Sequence, residues 1–131
     1  ALMSALDSTS THVRQNGFAS ISIAISALRA GKDSRSTGRY QKLRALLRAP
    51  VLSGVRDRDG VVRRYAFMAL VSLDTGNVEL AETLVLAERL FKSDPEPTVR
   101  VAALDLLVSE SRSRGRNWAL IEQALRDPSP T

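Results

Sequence analysis

Along the second half of the chain the apolar residues keep a helical beat. Val62, Ala66, Ala69, Leu70 and Leu73 recur at spacings that place them on one stripe of an α-helix, and that stripe has to be buried. The beat returns 37 residues later as Val99, Ala103 and Leu107, and the same shift superposes Asp94 on Asp57 and Arg100 on Arg63. Each stripe follows an acidic turn, where Asp and Pro suit the turn and the first helical position and a carboxylate complements the partial positive charge of the helix N-terminus. A self-similar period of this length marks a protein built by stacking one supersecondary unit.

Fainter copies flank the two clear ones. Upstream, Asp7 precedes Val13 and Arg14, with Gly17, Ile21 and Ala24 at the positions of Ala66, Leu70 and Leu73, although Asp7 lies seven residues before its arginine rather than six. At the other end, residues 126–131 repeat the turn around Asp94 and stop before the Val-Arg pair. Further helices are expected between the copies. One carries Tyr40, Leu43, Leu47 and Val51 and bends or ends near Pro50; two others open on Asn77 and Asn117 as N-caps. Residues 18–28 alternate like a strand, yet Phe18, Ile21, Ile25 and Leu28 also fit helical spacing, and the repeat context favours a helix. The expected layout is therefore the end of one helix at 1–6, then helices at about 12–30, 39–53, 60–73, 78–92, 98–112 and 117–126.

These residues resemble HEAT repeats, the armadillo-like units in which helix A, an Asp-bearing turn and a helix B opening on Val-Arg follow one another. Asp57, Val62, Arg63 and Ala66 match that pattern, as do Asp94, Val99, Arg100 and Ala103; Asp7, Val13 and Arg14 match it loosely and Asp127 only as the turn. The resemblance implies an all-α fold, a right-handed α-α superhelix of stacked antiparallel helix pairs with about three and a half repeats. It divides the chain into a partial first repeat (1–30), a second (39–73), a third (78–113) and a truncated fourth (117–131), a segment of a longer array. It also implies that Asp57, Arg63, Asp94 and Arg100 form a structural ladder between repeats. The helix-B faces would line a groove, with Arg64, Met68, Val71, Val101, Asp105 and Val108 exposed to a protein partner.

Composition narrows the chemistry. The 131 residues are 44% hydrophobic with few aromatics, which suits a core of Leu, Val, Ile and Ala in layered helices. Cysteine is absent, so disulfides and thiolate metal sites are excluded. No apolar run reaches the ~18 residues of a membrane span. His12 is the only histidine, and it falls at a helix entrance; a Ser-His-Asp triad and a His-Glu-x-x-His pair are thereby excluded within this chain. Asp57 and Asp59 start like a calcium loop, but Val62 and Met68 stand where that loop needs Gly and Glu. Neither a catalytic centre nor a cofactor or metal site is expected. Trp118, next to the Asn117 cap, is expected to pack against the preceding repeat.

Charge adds a second candidate surface. Residues 29–56 hold eight cations against one acid, +7, while the rest of the chain sums to −2. A basic loop at residues 31–38 and a basic turn at 111–116 would project from one edge, carrying Lys32, Arg35, Arg39, Lys42, Arg112, Arg114 and Arg116. The expected function is a non-catalytic protein-binding scaffold or adaptor within a multiprotein complex, engaging an acidic surface or helix through the groove strip or the basic edge. Two other readings accompany it: sequence-independent nucleic-acid binding through the basic edge, and a helper subunit of an enzyme of the lyase or maturation-factor type, implied by the resemblance because short HEAT-like repeats with an Asp-Pro-x-x-x-Val-Arg pattern occur in such factors. The chain is expected to be intracellular, cytoplasmic or nuclear, without membrane insertion.

Overall fold

A computed structural model describes the backbone of residues 2–30 and 34–114 and the side chains of residues 3–28 and 38–112. These residues form six helices: α1 (Leu2–Leu6), α2 (Thr11–Ala30), α3 (Ser34–Gly54), α4 (Gly60–Asp74), α5 (Leu80–Ser93) and α6 (Pro97–Arg114). Among the described residues there is no strand, so the 18–28 segment resolves as helix. Local chemistry sets the ends. Asp59 adopts an extended backbone and its carboxylate accepts the Val62 N–H at 2.9 Å, the N-cap arrangement that opens α4. Pro97 opens α6 where a missing N–H is not needed. The α4 exit turns through Gly76 at φ 82°, a left-handed conformation that glycine adopts without steric cost.

The even-numbered helices pack in sequence, α2 on α4 and α4 on α6. Each is covered by the odd-numbered helix before it: α1 lies on α2, α3 on α4 and α5 on α6. One continuous core runs through them from Leu6 to Leu107. The stripe residues read from the repeat occupy it, with Val62, Ala66, Leu73, Val99 and Ala103 wholly buried and Leu70 and Leu107 nearly so. At the end of α3 the packing is tighter still. A Cβ on Gly54 would lie 2.8 Å from both the Ala66 Cβ and the Phe18 Cε1, so only glycine lets α3 sit this close to α2 and α4.

Several expectations need correcting. Helix α3 does not end at Pro50 but continues to Gly54, and Val51, just past the proline, is buried in the core as Leu47 is before it. It also begins at Ser34, so residues 34–38 belong to a helix and not to a basic loop; Gly38, with open space where a Cβ would stand, does not break it. Likewise α6 runs on to Arg114, placing residues 111–114 on the helix. Asn77 does not cap α5. The cap position is Glu79, and the Asn77 amide turns back to donate to the Tyr40 hydroxyl and the Leu73 and Thr75 carbonyls. In α2 the buried stripe is Phe18, Ile21 and Ile25; Ala24 faces outward, and Val13 is 41% exposed where Val62 and Val99 are enclosed. The expected helix at 117–126, with Asn117, Trp118 and Asp127, lies outside the described residues.

Candidate functional site

The repeated Asp and Arg residues meet as an interlocking clasp. The Arg63 Nε and Nη2 donate to the two oxygens of Asp94, each at 2.9 Å, while its Nη1 donates to the Asp57 and Arg58 carbonyls of its own turn. Arg14 does the same one step earlier: its Nε and Nη2 fork Asp57 at 2.8 and 3.1 Å, and its Nη1 holds the Ser8 and Thr9 carbonyls. Arg100 donates through Nη1 to the Asp94 carbonyl, continuing the series. Each arginine thus ties its own turn shut, and Arg14 and Arg63 also reach the turn of the next helix pair. Planar, two-pronged guanidinium–carboxylate contact is the strong form of this interaction. The Asp94 hydrogen bonds hold the Arg63 guanidinium above its ordinary pKa, so it stays charged.

The geometry also corrects the first copy. Asp57 and Asp94 each lie six residues before their arginine and accept the N–H two residues on, from Asp59 and Glu96 at 2.9 Å. In the first turn that position belongs to Ser8, not Asp7: the Ser8 hydroxyl accepts the Ser10 N–H at 3.1 Å, and Asp7 is exposed. His12 stands exposed in the first turn of α2, at the helix entrance where it was expected.

A second polar cluster escaped the sequence reading. Asp74, the last residue of α4, is fully buried and accepts from Arg44 at 3.2 Å, from Arg48 at 3.1 and 3.2 Å, and from the Thr83 hydroxyl at 2.7 Å. The adjacent Leu73 carbonyl accepts from the Tyr40 hydroxyl, the Arg44 Nε and the Asn77 amide. Glu79 and Glu82 take the outer sides of Arg44 and Arg48 at 2.6 and 3.1 Å. Two cations at the carbonyl end of α4 also complement its dipole. Hydrogen bonding to Asp74 raises the Arg48 pKa above its usual value. The chemical consequence is that Arg44 and Arg48 are removed from the basic cluster of residues 29–56 and are not available to a phosphate backbone.

On the other side of α4, the expected groove residues come together. Arg64, Met68 and Val71 from α4 face Pro97, Val101 and Asp105 from α6 across a groove of about 550 Å³, floored by Phe67 and Ala102. Met68 and Val101 are 41% and 37% exposed, an apolar pair open to solvent in the middle of this strip. Val108 is not part of that lining; it borders an adjoining hollow with Leu104 and Arg112, which shares Asp105 and Ser109 with the groove. The Arg64 guanidinium lies 5.7 Å from the Tyr65 ring centroid, within cation–π range. The strip can therefore receive apolar side chains and one charge of each sign.

Of the basic-edge residues, Arg39, Lys42 and Arg112 are exposed. They stand at one end of the helices: Tyr40 between the first two reaches the end of α4, and α6 runs beside α4 so that Ser72 and Ser109 line the same groove. Lys32 and Arg116 lie outside the described residues, as do the side chains of Arg35 and Arg114, whose backbones are helical. Among the described residues no helix is long and apolar enough to cross a membrane. Comparison with protein-family models, curated proteins and solved structures finds no match for this chain.

Proposed function

We propose that the chain forms a HEAT-like α-solenoid and serves as a non-catalytic protein-binding scaffold or adaptor, its partner seated on the strip between α4 and α6. The observation that carries this reading is the open apolar pair Met68 and Val101 on helices whose buried sides are occupied by core and clasp residues. A helix-in-groove partner anchors through a few apolar side chains spaced along one face, and this strip offers such a seat with Arg64 and Asp105 at its margins. The Arg14–Asp57 and Arg63–Asp94 clasps support the stacking part of the reading, because each joins one helix pair to the next.

The test is site-specific photo-crosslinking in extract of the source cells. A photoreactive residue in place of Met68 should give discrete protein adducts that disappear when Val101→Glu is added, while the same residue in place of Val85, exposed on α5, should not give them. Identical adducts from both positions, or none from Met68, would refute the strip as the binding surface.

A further inference from the structure

The odd-numbered helices leave a groove of their own. Helices α3 and α5 scarcely touch, and between them lies a groove of about 620 Å³ whose walls and floor include Leu52, Leu86, Leu90 and Leu70. Arg48 bridges one end, reaching Asp74 below and Glu82 across the gap. At the other end Arg56 and Arg89 line the groove, both exposed, and neither has an ion-pair partner among the described residues. The acids that follow them in the chain offer no compensation: Asp57 is forked by Arg14, and Asp94 by Arg63. This groove therefore combines an apolar floor with uncompensated positive charge, whereas the strip between α4 and α6 carries Arg64 and Asp105 in balance.

We propose that the α3–α5 groove is a second docking site, and that it takes an acidic amphipathic helix of a partner protein. Apolar residues on one face of that helix enter between Leu52 and Leu86, and carboxylates beside them meet Arg56 and Arg89 in the two-pronged geometry that guanidinium favours. Charge of one sign at the mouth selects the partner and speeds encounter; the apolar floor holds it. A nucleic-acid strand fits less well, since the lining includes no aromatic side chain on which a base could stack. A second copy of the chain would bring like charges together at the same place. The site is independent of the strip between α4 and α6.

The probe is a fluorescent peptide of about 18 residues, long enough to form a helix on docking, with Leu along one face and Glu along the other. Wild-type protein should bind it, with amide NMR shifts concentrated at residues 52–56 and 86–90, and Arg56→Glu with Arg89→Glu should weaken binding at least about tenfold. Met68→Glu should leave binding unchanged. A peptide with Lys in place of Glu should not bind, nor should one with Ser in place of Leu. The proposal is overturned if wild type does not bind the acidic peptide, if either control peptide binds as well, if the arginine reversals have no effect, or if Met68→Glu alone abolishes binding. Because both arginines are exposed, the doubly reversed protein should keep the helical circular dichroism of wild type; the NMR map on wild type stands whether or not it does.

Discussion

Asp74→Ala should destabilise the fold by about 3 kcal/mol, measured as a fall in the urea midpoint with the slope of the transition unchanged. The reason is asymmetry. In the native protein the wholly buried carboxylate satisfies Arg44, Arg48 and Thr83 at once, and its removal leaves two guanidiniums and a hydroxyl facing a vacated space. Glu79 and Glu82 still hold the outer sides of the two arginines, which keeps the loss below the upper end of the range seen for broken buried pairs. Replacing the group together, by Asp74→Leu with Arg44→Met and Arg48→Met, should cost less than Asp74→Ala alone, since no unpaired charge then remains. If the single variant lost less than about 1 kcal/mol, the arginines would have to be solvated outward, contrary to their positions in the structure.

Gly54→Ala should also destabilise, by about 2 kcal/mol, although alanine is ordinarily the better helix residue by up to about 1 kcal/mol. The added methyl meets the Ala66 Cβ and the Phe18 ring, and both residues are fully enclosed in the core. Relief requires α3 to move away from α2 and α4, which loosens Val51 and Val55 with it. Thermal unfolding of the variant beside Gly38→Ala separates the two effects. Gly38 has open space around it, so alanine there should be neutral or mildly stabilising. A Gly54→Ala protein as stable as wild type would mean that the helices are not this close.

Repetition made most of the helical framework readable in advance. Val62 and Val99, Ala66 and Ala103, Asp57 and Asp94 compare the chain with itself, and the shared spacing reveals both the buried stripe and the turn acid without any knowledge of contacts. Five of the six residues read from the same alignment, Arg64, Met68, Val71, Val101 and Asp105, line the groove between α4 and α6, whereas Val108 does not. What repetition could not reveal is what occurs once. Asp74 has Ile25 and Ser111 at its equivalent positions, and its partners Arg44 and Arg48 lie 30 and 26 residues upstream on another helix. Their arginines therefore read as free positive charge. Ser8 was missed for a different reason: the acceptor six residues before the arginine matters, and a hydroxyl can supply it where Asp7, one place off, cannot. The basic tracts at 31–38 and 111–116 read as a loop and a turn, yet residues 34–38 and 111–114 hold no proline, and neither the isolated Gly38 nor the serines stop α3 or α6.

Beside the shared core, the Arg63–Asp94 clasp joins one helix pair to the next, and a double-mutant cycle measures it most directly. Each single change to alanine disturbs more than the pair, since Arg63 also holds its own turn and Asp94 also receives the Glu96 N–H. The cycle subtracts those separate losses and leaves the contact itself. For a buried, two-pronged pair the coupling energy should be about 2 kcal/mol, with the double variant losing little beyond either single one. Losses that add to within about 0.3 kcal/mol would contradict the clasp, because Arg63 and Asp94 would then not be joining the two helix pairs in solution.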